Sequence, residues 1–470
     1  MAFFHEDARD TAGGGGTPNR KAPMMKPALF LLPLLLPAKL AAATLTGPAS
    51  LSDAAPAPIR LDGLAPGSLV TLTMTRDLPD YGGRFSATAR FKAGADGRID
   101  TGRDAPISSG APGNYDGIAA AGLFWSARRD AAPSPAAAAD GSARIEADLG
   151  SEKLSLAIPA LPQPVTTAAV AEFPGAVLAR PAAASGRLPL LIVLGGSEGG
   201  RFTARTYAPL LAAQGFAVLG LPYYSPGYDP ADKVAGLPTS FTEIPVDRLQ
   251  AVKAWAERQS GLDASRIGLW GVSKGAEFAL IAASRLAWVQ AVVAVVPSDV
   301  VWEGWGRPGP ATSSFSWEGK PLPFVPYLGV EQEFSRVARG ERMEMRRPHV
   351  AGRAANPERV PAARIRVEEY AGALLLIGGD DDRVWPSGPM AQAVADTRAA
   401  AGRSTALLRF ADAGHALAGP GTDPVGIMQA NGGTLAGIAQ ARSTAWAATI
   451  AFLRRQLGEA GSQATKPTAR

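Results

Sequence analysis

From about residue 187 the chain alternates short apolar runs with amphipathic stretches. The runs at 188–194, 217–221, 267–270, 290–296, 373–377 and 406–410 suit strands buried on both faces. Between and after them the spacing predicts helices over 203–214, 246–259, 273–286, 389–401 and 435–457. Strands alternating with such helices imply a parallel sheet with crossover connections. Residues 50 to about 165 read differently. They lack helical periodicity and carry period-two runs at 69–74, 85–91 and 143–148, divided by Pro66-Gly67, Gly82-Gly83 and Asp96-Gly97. That pattern predicts a small antiparallel, immunoglobulin-like β-sandwich, with the Ala- and Pro-rich stretch 131–141 as an extended loop. Residues 299–370 fit neither pattern. Rich in Trp, Pro, Gly and Arg, they read as an insertion that roofs a site.

Composition narrows the possibilities. The 470 residues are 46% hydrophobic and 19% charged, a globular balance with enough chain for several cores. The net charge of +5 comes without a long basic run, so a nucleic-acid partner is not expected. With no cysteine there is no thiol nucleophile, disulfide or Cys-ligated metal, and three histidines make a zinc centre improbable. No cofactor is implied. Residues 1–43 read as an export signal: Arg20, Lys21 and Lys26 precede an apolar run at 27–38, and Ala41-Ala42-Ala43 offers a cleavage site. The run is too short to span a bilayer. Met24 and Met25 are alternative starts, and misassignment of the start would leave the protein cytoplasmic. The expected organisation is therefore a signal segment 1–43, a β-sandwich 44–165, an α/β domain 166–460 with the insertion 299–370, and a disordered tail 461–470.

The chemistry concentrates at Gly271-Val-Ser-Lys-Gly275, a G-x-S-x-G placed between a strand and a helix. Such a turn is so sharp that both flanking positions favour glycine, and it holds Ser273 with its hydroxyl exposed. The Lys274 N–H then lies where an oxyanion would form. A serine nucleophile needs a base, and there are three candidates. His5 lies ahead of the export signal, and His349 sits in an irregular stretch as a lid contact or surface residue. His415 follows the last strand, where the order Ser…Asp…His of the α/β-hydrolase fold puts its base. The acid belongs after the strand 373–377, in Gly379-Asp-Asp-Asp-Arg383. The Gly-x-x-Asp phrasing with Pro386 selects Asp382, with Asp381 its competitor. The glycine-rich loop Gly195-Gly-Ser-Glu-Gly-Gly200 offers a second oxyanion donor, the N–H of Ser197 or its neighbour Gly196. It lacks the G-x-G-x-x-G and P-loop patterns of nucleotide sites.

Two sets of residues then point to a family. The β-region contains Leu61-Asp-Gly-Leu-Ala-Pro-Gly67, Phe85-Ser-Ala-Thr-Ala-Arg-Phe91, Gly113-Asn-Tyr-Asp-Gly117 and Ala121-Gly-Leu-Phe-Trp-Ser126. The α/β region adds Gly271-Val-Ser-Lys-Gly-Ala-Glu277, Gly379-Asp-Asp-Asp-Arg-Val-Trp385 and Gly414-His415. Over roughly residues 55–455 the chain resembles the acyl-CoA thioesterase and bile acid-CoA:amino acid N-acyltransferase family. The resemblance implies a β-sandwich followed by an α/β-hydrolase domain, cleaving a small-molecule acyl thioester or ester through Ser273, Asp382 and His415. Acyl transfer to amino acids is associated in that family with Cys at the nucleophile, so Ser273 implies water as acceptor. On that footing Trp302, Trp305, Trp317 and Phe324 line an acyl pocket or merely pack the insertion. Arg346, Arg347 and Arg353 meet CoA phosphates or are solvated surface. An export segment fits a cytoplasmic CoA ester poorly, which keeps an exported carboxylesterase as the alternative, beside the N-acyltransferase. Two further readings are a β-domain that binds a lipid or polymer surface, and an inactive partner-binding protein. The complete Ser, Asp and His set argues against the last.

Overall fold

A computed structural model describes residues 42–54, 58–110, 115–131, 140–425 and 431–458. The export reading of 1–43 therefore falls, but for its last two residues, outside the described residues, as do most of the loop 131–141 and the tail 461–470.

The first part is all-β. A three-stranded sheet joins β1 (Thr44–Thr46), β2 (Arg60–Asp62) and, beyond it, β5 (Ile99–Asp100). A six-stranded sheet is built on β3 (Leu69–Leu78), β4 (Gly83–Lys92), β8 (Ala143–Asp148) and β9 (Lys153–Ile158), with the short β6 (Ser108–Ser109) and β7 (Arg128–Arg129) beside β4. The helix α1 (Gly122–Trp125) packs below β4. Alternation decides what faces inward. On β3, Val70, Leu72, Met74 and Leu78 are buried, and so, at one of the same inward positions, is Arg76. These residues share one core with Ile59, Leu61, Phe85, Phe91, Ile99 and Ile145 from both sheets. Val425, Ile438 and Ala439 of the second part belong to it as well.

The second part is an eight-stranded sheet in the order β10-β11-β13-β12-β15-β16-β19-β20. Its strands are β10 (Val165–Ala169), β11 (Val177–Pro181), β12 (Leu188–Leu194), β13 (Ala217–Gly220), β15 (Leu262–Val272), β16 (Val289–Val295), β19 (Ala373–Gly379) and β20 (Ala406–Phe410). Strands β12 to β20 pair in parallel, whereas β10 and β11 add an antiparallel edge that the pattern did not predict. β10 begins at Val165, so the join between the two parts falls just before it. The helices are α2 (Phe202–Ala212), α3 (Leu249–Glu257), α4 (Lys274–Ala283), α8 (Ser387–Ala400) and α9 (Leu435–Leu457). Each lies within three residues of its sequence expectation. β12 is buried along its whole length, as a continuous apolar run in a helix-covered sheet requires. This is the α/β-hydrolase architecture.

The insertion 299–370 is not irregular throughout. It holds β17 (Phe315–Trp317), β18 (Lys320–Pro321), α5 (Val330–Ala338), α6 (Arg346–Ala355) and α7 (Val360–Ala363). β17 pairs in parallel with β14 (Ile244–Pro245), which ties the insertion to the body of the domain.

Candidate active site

Strand β15 runs straight into α4 with Ser273 at the corner, at φ 56° and ψ −123°. Non-glycine residues avoid this region unless the surroundings impose it. The glycines on either side make the turn possible. A Cβ on Gly271 would run into the Gly275 carbonyl, and one on Gly275 into the carbonyls of Leu194 and Gly195. The Ser273 N–H is held by the Val295 carbonyl at 2.9 Å.

Three loops at the C-terminal ends of the parallel strands bring the remaining groups together. His415 Nε2 lies 2.8 Å from Ser273 Oγ, and its Nδ1 lies 2.7 Å from Asp382 Oδ2. Asp382 is fully buried, and its other oxygen accepts the N–H groups of Val384 at 2.8 Å and Trp385 at 3.3 Å. With its carboxylate thus occupied, Asp382 fixes the Nδ1–H tautomer of His415 and leaves Nε2 free to accept the serine proton. The neighbouring acids have other partners. Asp380 pairs with Arg409 at 2.9 Å, and Asp381 accepts the Gly433 N–H at 2.8 Å, bracing the loop that carries His415.

On the oxyanion side, the Gly196 N–H donates to Glu198 Oε1 at 2.9 Å, so Gly196 is not the free donor it was expected to be. Glu198 also takes the Thr203 hydroxyl at 2.6 Å, which pins the glycine loop. No described acceptor is bonded to the N–H of Ser197 or Lys274, and both residues line the cleft beside Ser273.

Ser273 sits where two cavities meet. One, of about 550 Å³, is bounded by Glu198, Tyr207, Asp229, Asp232, Lys233 and His415. The other, of about 540 Å³, is walled mainly by the insertion: Trp305, Tyr327, Phe334, Met343, Met345 and His349, closed by Trp385. Of the four aromatic residues considered for an acyl pocket, only Trp305 lines it. Trp302 is fully buried behind it, stacked on Tyr327 with ring centroids 5.8 Å apart and its indole N–H on Ser298 Oγ at 2.8 Å. Trp317 lies under Arg285, and Phe324 under Arg359, both packed on the main core. The three arginines have protein partners, and Arg347 is solvent-exposed as well. Arg353 makes a two-point pair with Asp299 (2.7 and 2.6 Å), and Arg347 bonds Glu333 and Glu344. Arg346 donates to the carbonyls of Asp380 and Asp382, steadying the acid loop.

Two buried groups escaped the sequence reading. The side chain of Lys274 pairs with Glu277 Oε2 at 2.7 Å and Ser314 Oγ at 2.9 Å, surrounded by the rings of Phe241, Trp305 and Phe315. Burial pushes the lysine down and the glutamate up from their ordinary pKa values, against the attraction between them. His349 lies on α6, only 4% exposed, and burial lowers its pKa to about 3. No cluster of three or more His, Cys, Asp or Glu able to hold a metal occurs among the described residues.

The fold and the Ser–His–Asp geometry define the class as that of α/β-hydrolases. Comparison with known proteins narrows it. The model of the acyl-CoA thioester hydrolase/BAAT N-terminal region matches residues 54–144, and that of the BAAT/acyl-CoA thioester hydrolase C-terminal region matches 250–459. The chain belongs to this family. It is 26% identical over 441 residues to the peroxisomal succinyl-coenzyme A thioesterase of Mus musculus, covering 87% of this chain and 95% of that protein. It is equally 26% identical to acyl-coenzyme A amino acid N-acyltransferase 1 of Mus musculus, covering 87% and 96%. Among solved structures, a putative dienelactone hydrolase from Klebsiella pneumoniae subsp. pneumoniae MGH 78578 aligns over 60% of this chain and 92% of its own, at 18% identity and a TM-score of 0.38.

Proposed function

We propose that the protein is a serine hydrolase of acyl thioesters, converting acyl-CoA to free fatty acid and CoA. The observation that carries the proposal is the continuous hydrogen-bonded line from Ser273 Oγ through His415 to Asp382, at the junction of the insertion-walled cavity and a second one that carries acidic side chains. The acyl chain occupies the insertion-walled pocket, and the thiol leaves through the other.

His415 takes the proton of Ser273 as the hydroxyl attacks the acyl carbonyl. The N–H groups of Lys274 and Ser197 receive the oxyanion. His415 then protonates the departing thiolate, and afterwards activates water to release the acid from the serine ester. General base assistance contributes roughly 10²–10⁴ in rate and one oxyanion donor about 10²–10³. The test is thiol release from acyl-CoAs of graded chain length, with Ser273→Ala as the blank. Serine-dependent release with a chain-length optimum supports the reading, and indifference to every acyl-CoA overturns it.

One observation favours a second reading. The second cavity carries Glu198, Asp229 and Asp232, the last paired with Arg205 at 3.2 Å, against the lone cation Lys233 among its lining residues, a poor setting for the polyanionic CoA nucleotide. An exported carboxylesterase releasing an uncharged alcohol or thiol fits that wall. Cleavage of acyl pantetheine or p-nitrophenyl esters in preference to acyl-CoA selects it. Cell fractionation with N-terminal sequencing tests the export reading of residues 1–43.

A further inference from the structure

His349 lines the insertion-side pocket, and its Nε2, covered by the protein's own side chains, pairs with nothing among the described residues. The other ring nitrogen fixes the tautomer. Nδ1 lies 2.7 Å from the Met345 carbonyl one turn back on α6, and a carbonyl only accepts, so Nδ1 carries the hydrogen. Nε2 is therefore a bare acceptor at the far edge of the ring. Burial holds the ring neutral at any working pH, with its pKa near 3, so Nε2 does not become a donor.

No described neighbour donates to it. Trp302, Tyr327 and Trp385 meet the ring edge to face, with centroids at 4.6, 4.8 and 5.4 Å. The Trp385 indole N–H is committed to the Val296 carbonyl, that of Trp302 to Ser298, and the Lys274 ammonium to Glu277 and Ser314. A lone pair set among aromatic rings is unfavourable, and natural interiors seldom leave one unused. The position is close to the chemistry, since Trp385 also stands edge-on to His415 at 5.4 Å and so separates the two imidazoles by a single ring.

We propose that His349 is a specificity-determining residue of the acyl pocket, and that the preferred acyl chains carry a hydroxyl that donates to its Nε2. This rests on the serine-hydrolase reading above, with the insertion-side pocket as the acyl site. A plain alkyl chain fills the pocket but leaves Nε2 dry and unpaired. A chain with a hydroxyl at the right carbon satisfies it, by displacing one of the side chains that cover Nε2. Sites built this way reject the analogue lacking the polar group far more strongly than apolar pockets sort by size.

The test compares acyl thioesters of one chain length, unsubstituted and with a hydroxyl walked along the chain, and repeats the series as p-nitrophenyl esters. Ser273→Ala serves as blank. One hydroxy isomer should exceed the plain chain in kcat/KM by roughly tenfold or more. In His349→Phe, which keeps an aromatic ring in the cage, that ratio should collapse to about one. In His349→Gln, which can restore an acceptor, it should recover in part. If no hydroxy isomer is favoured, or if His349→Phe lowers all substrates in the same proportion, the proposal is wrong and His349 only packs. Failure of the thioester series alone leaves the ester series to decide, which separates this inference from the choice of leaving group.

Discussion

Lys274 and Glu277, one turn apart on α4, form an ion pair of 2.7 Å with side chains 2% and 0% exposed. Glu277 extends the contact into the insertion by accepting the Trp302 N–H at 3.1 Å, while Lys274 reaches Ser314. The residue after the nucleophile thus anchors the wall of the apolar pocket. Lys274→Met should leave a buried carboxylate without its cation and cost about 3–5 kcal/mol, whereas Lys274→Met with Glu277→Gln should cost much less. Urea unfolding of the two variants measures the difference, and equal losses would refute the coupling.

Ser273 holds a positive φ of 56° that glycine adopts without strain. Ser273→Gly should abolish turnover, by roughly 10³-fold or more, while raising stability by about 1 kcal/mol. A melting curve beside a rate assay checks both halves. A variant that is inactive and also less stable would contradict the strained-elbow account.

His349 gives stability a defined pH dependence. Its folded pKa, near 3, lies well below that of the unfolded chain, near 6.5, because burial excludes the charged ring. The unfolded chain therefore binds the extra proton first. The contribution is fully present above about pH 6.5 and is lost as pH falls towards 3, at up to about 1.4 kcal/mol per unit. Lys274, Asp382 and His415 are the titratable groups acting on it. Between pH 7 and 4 the stability of the wild type should fall relative to that of His349→Gln by roughly 3 kcal/mol. Parallel unfolding curves at the two pH values read this difference directly.

Arg76 and Arg442 share the carboxylate of Asp423, at 2.9 and 3.3 Å, and all three side chains are at most 10% exposed. Asp423→Ala removes the one anion between two guanidiniums. A loss of about 3–5 kcal/mol is expected, with Arg76→Met partly restoring it. A surface-like effect below about 0.5 kcal/mol in Asp423→Ala would show that the cluster is solvated.

Much of this was legible in the sequence, for identifiable reasons. The parallel strands are continuous apolar runs and the helices between them are periodic, so both could be read locally. Ser273 announced itself through Gly271 and Gly275, each required by a backbone close approach. His415 followed because the chain has so few histidines. Asp382 was harder: the Gly-x-x-Asp phrasing before Pro386 selected it with Asp381 as competitor, and it is the Asp382 carboxylate that reaches His415. The antiparallel strands β10 and β11 were missed because each is only five residues long, β10 lies largely exposed at the sheet edge, and Thr166, Thr167 and Arg180 break any apolar run. The pocket wall was misread for a different reason. Nothing local separates Trp305, at the cavity, from Trp302, packed behind it, since the distinction depends on how the insertion folds back over the sheet. Arg76 falls on the inward parity of Val70, Leu72 and Met74, and nothing local marks its partner, which lies 347 positions away.

The shared core has a further consequence. Val425, Ile438 and Ala439 are packed among the side chains of the β-region, the Trp446 indole donates to the Ser52 carbonyl, and the Val425 N–H to that of Trp125. The part bearing the active-site geometry therefore has no finished surface on this side. A hydrolase segment cut free before Val165 would present raw apolar area to water and leave Asp423 without its Arg76 partner. The small β-region packs on the hydrolase part as a subunit would, though on the same chain, and the two should melt as one.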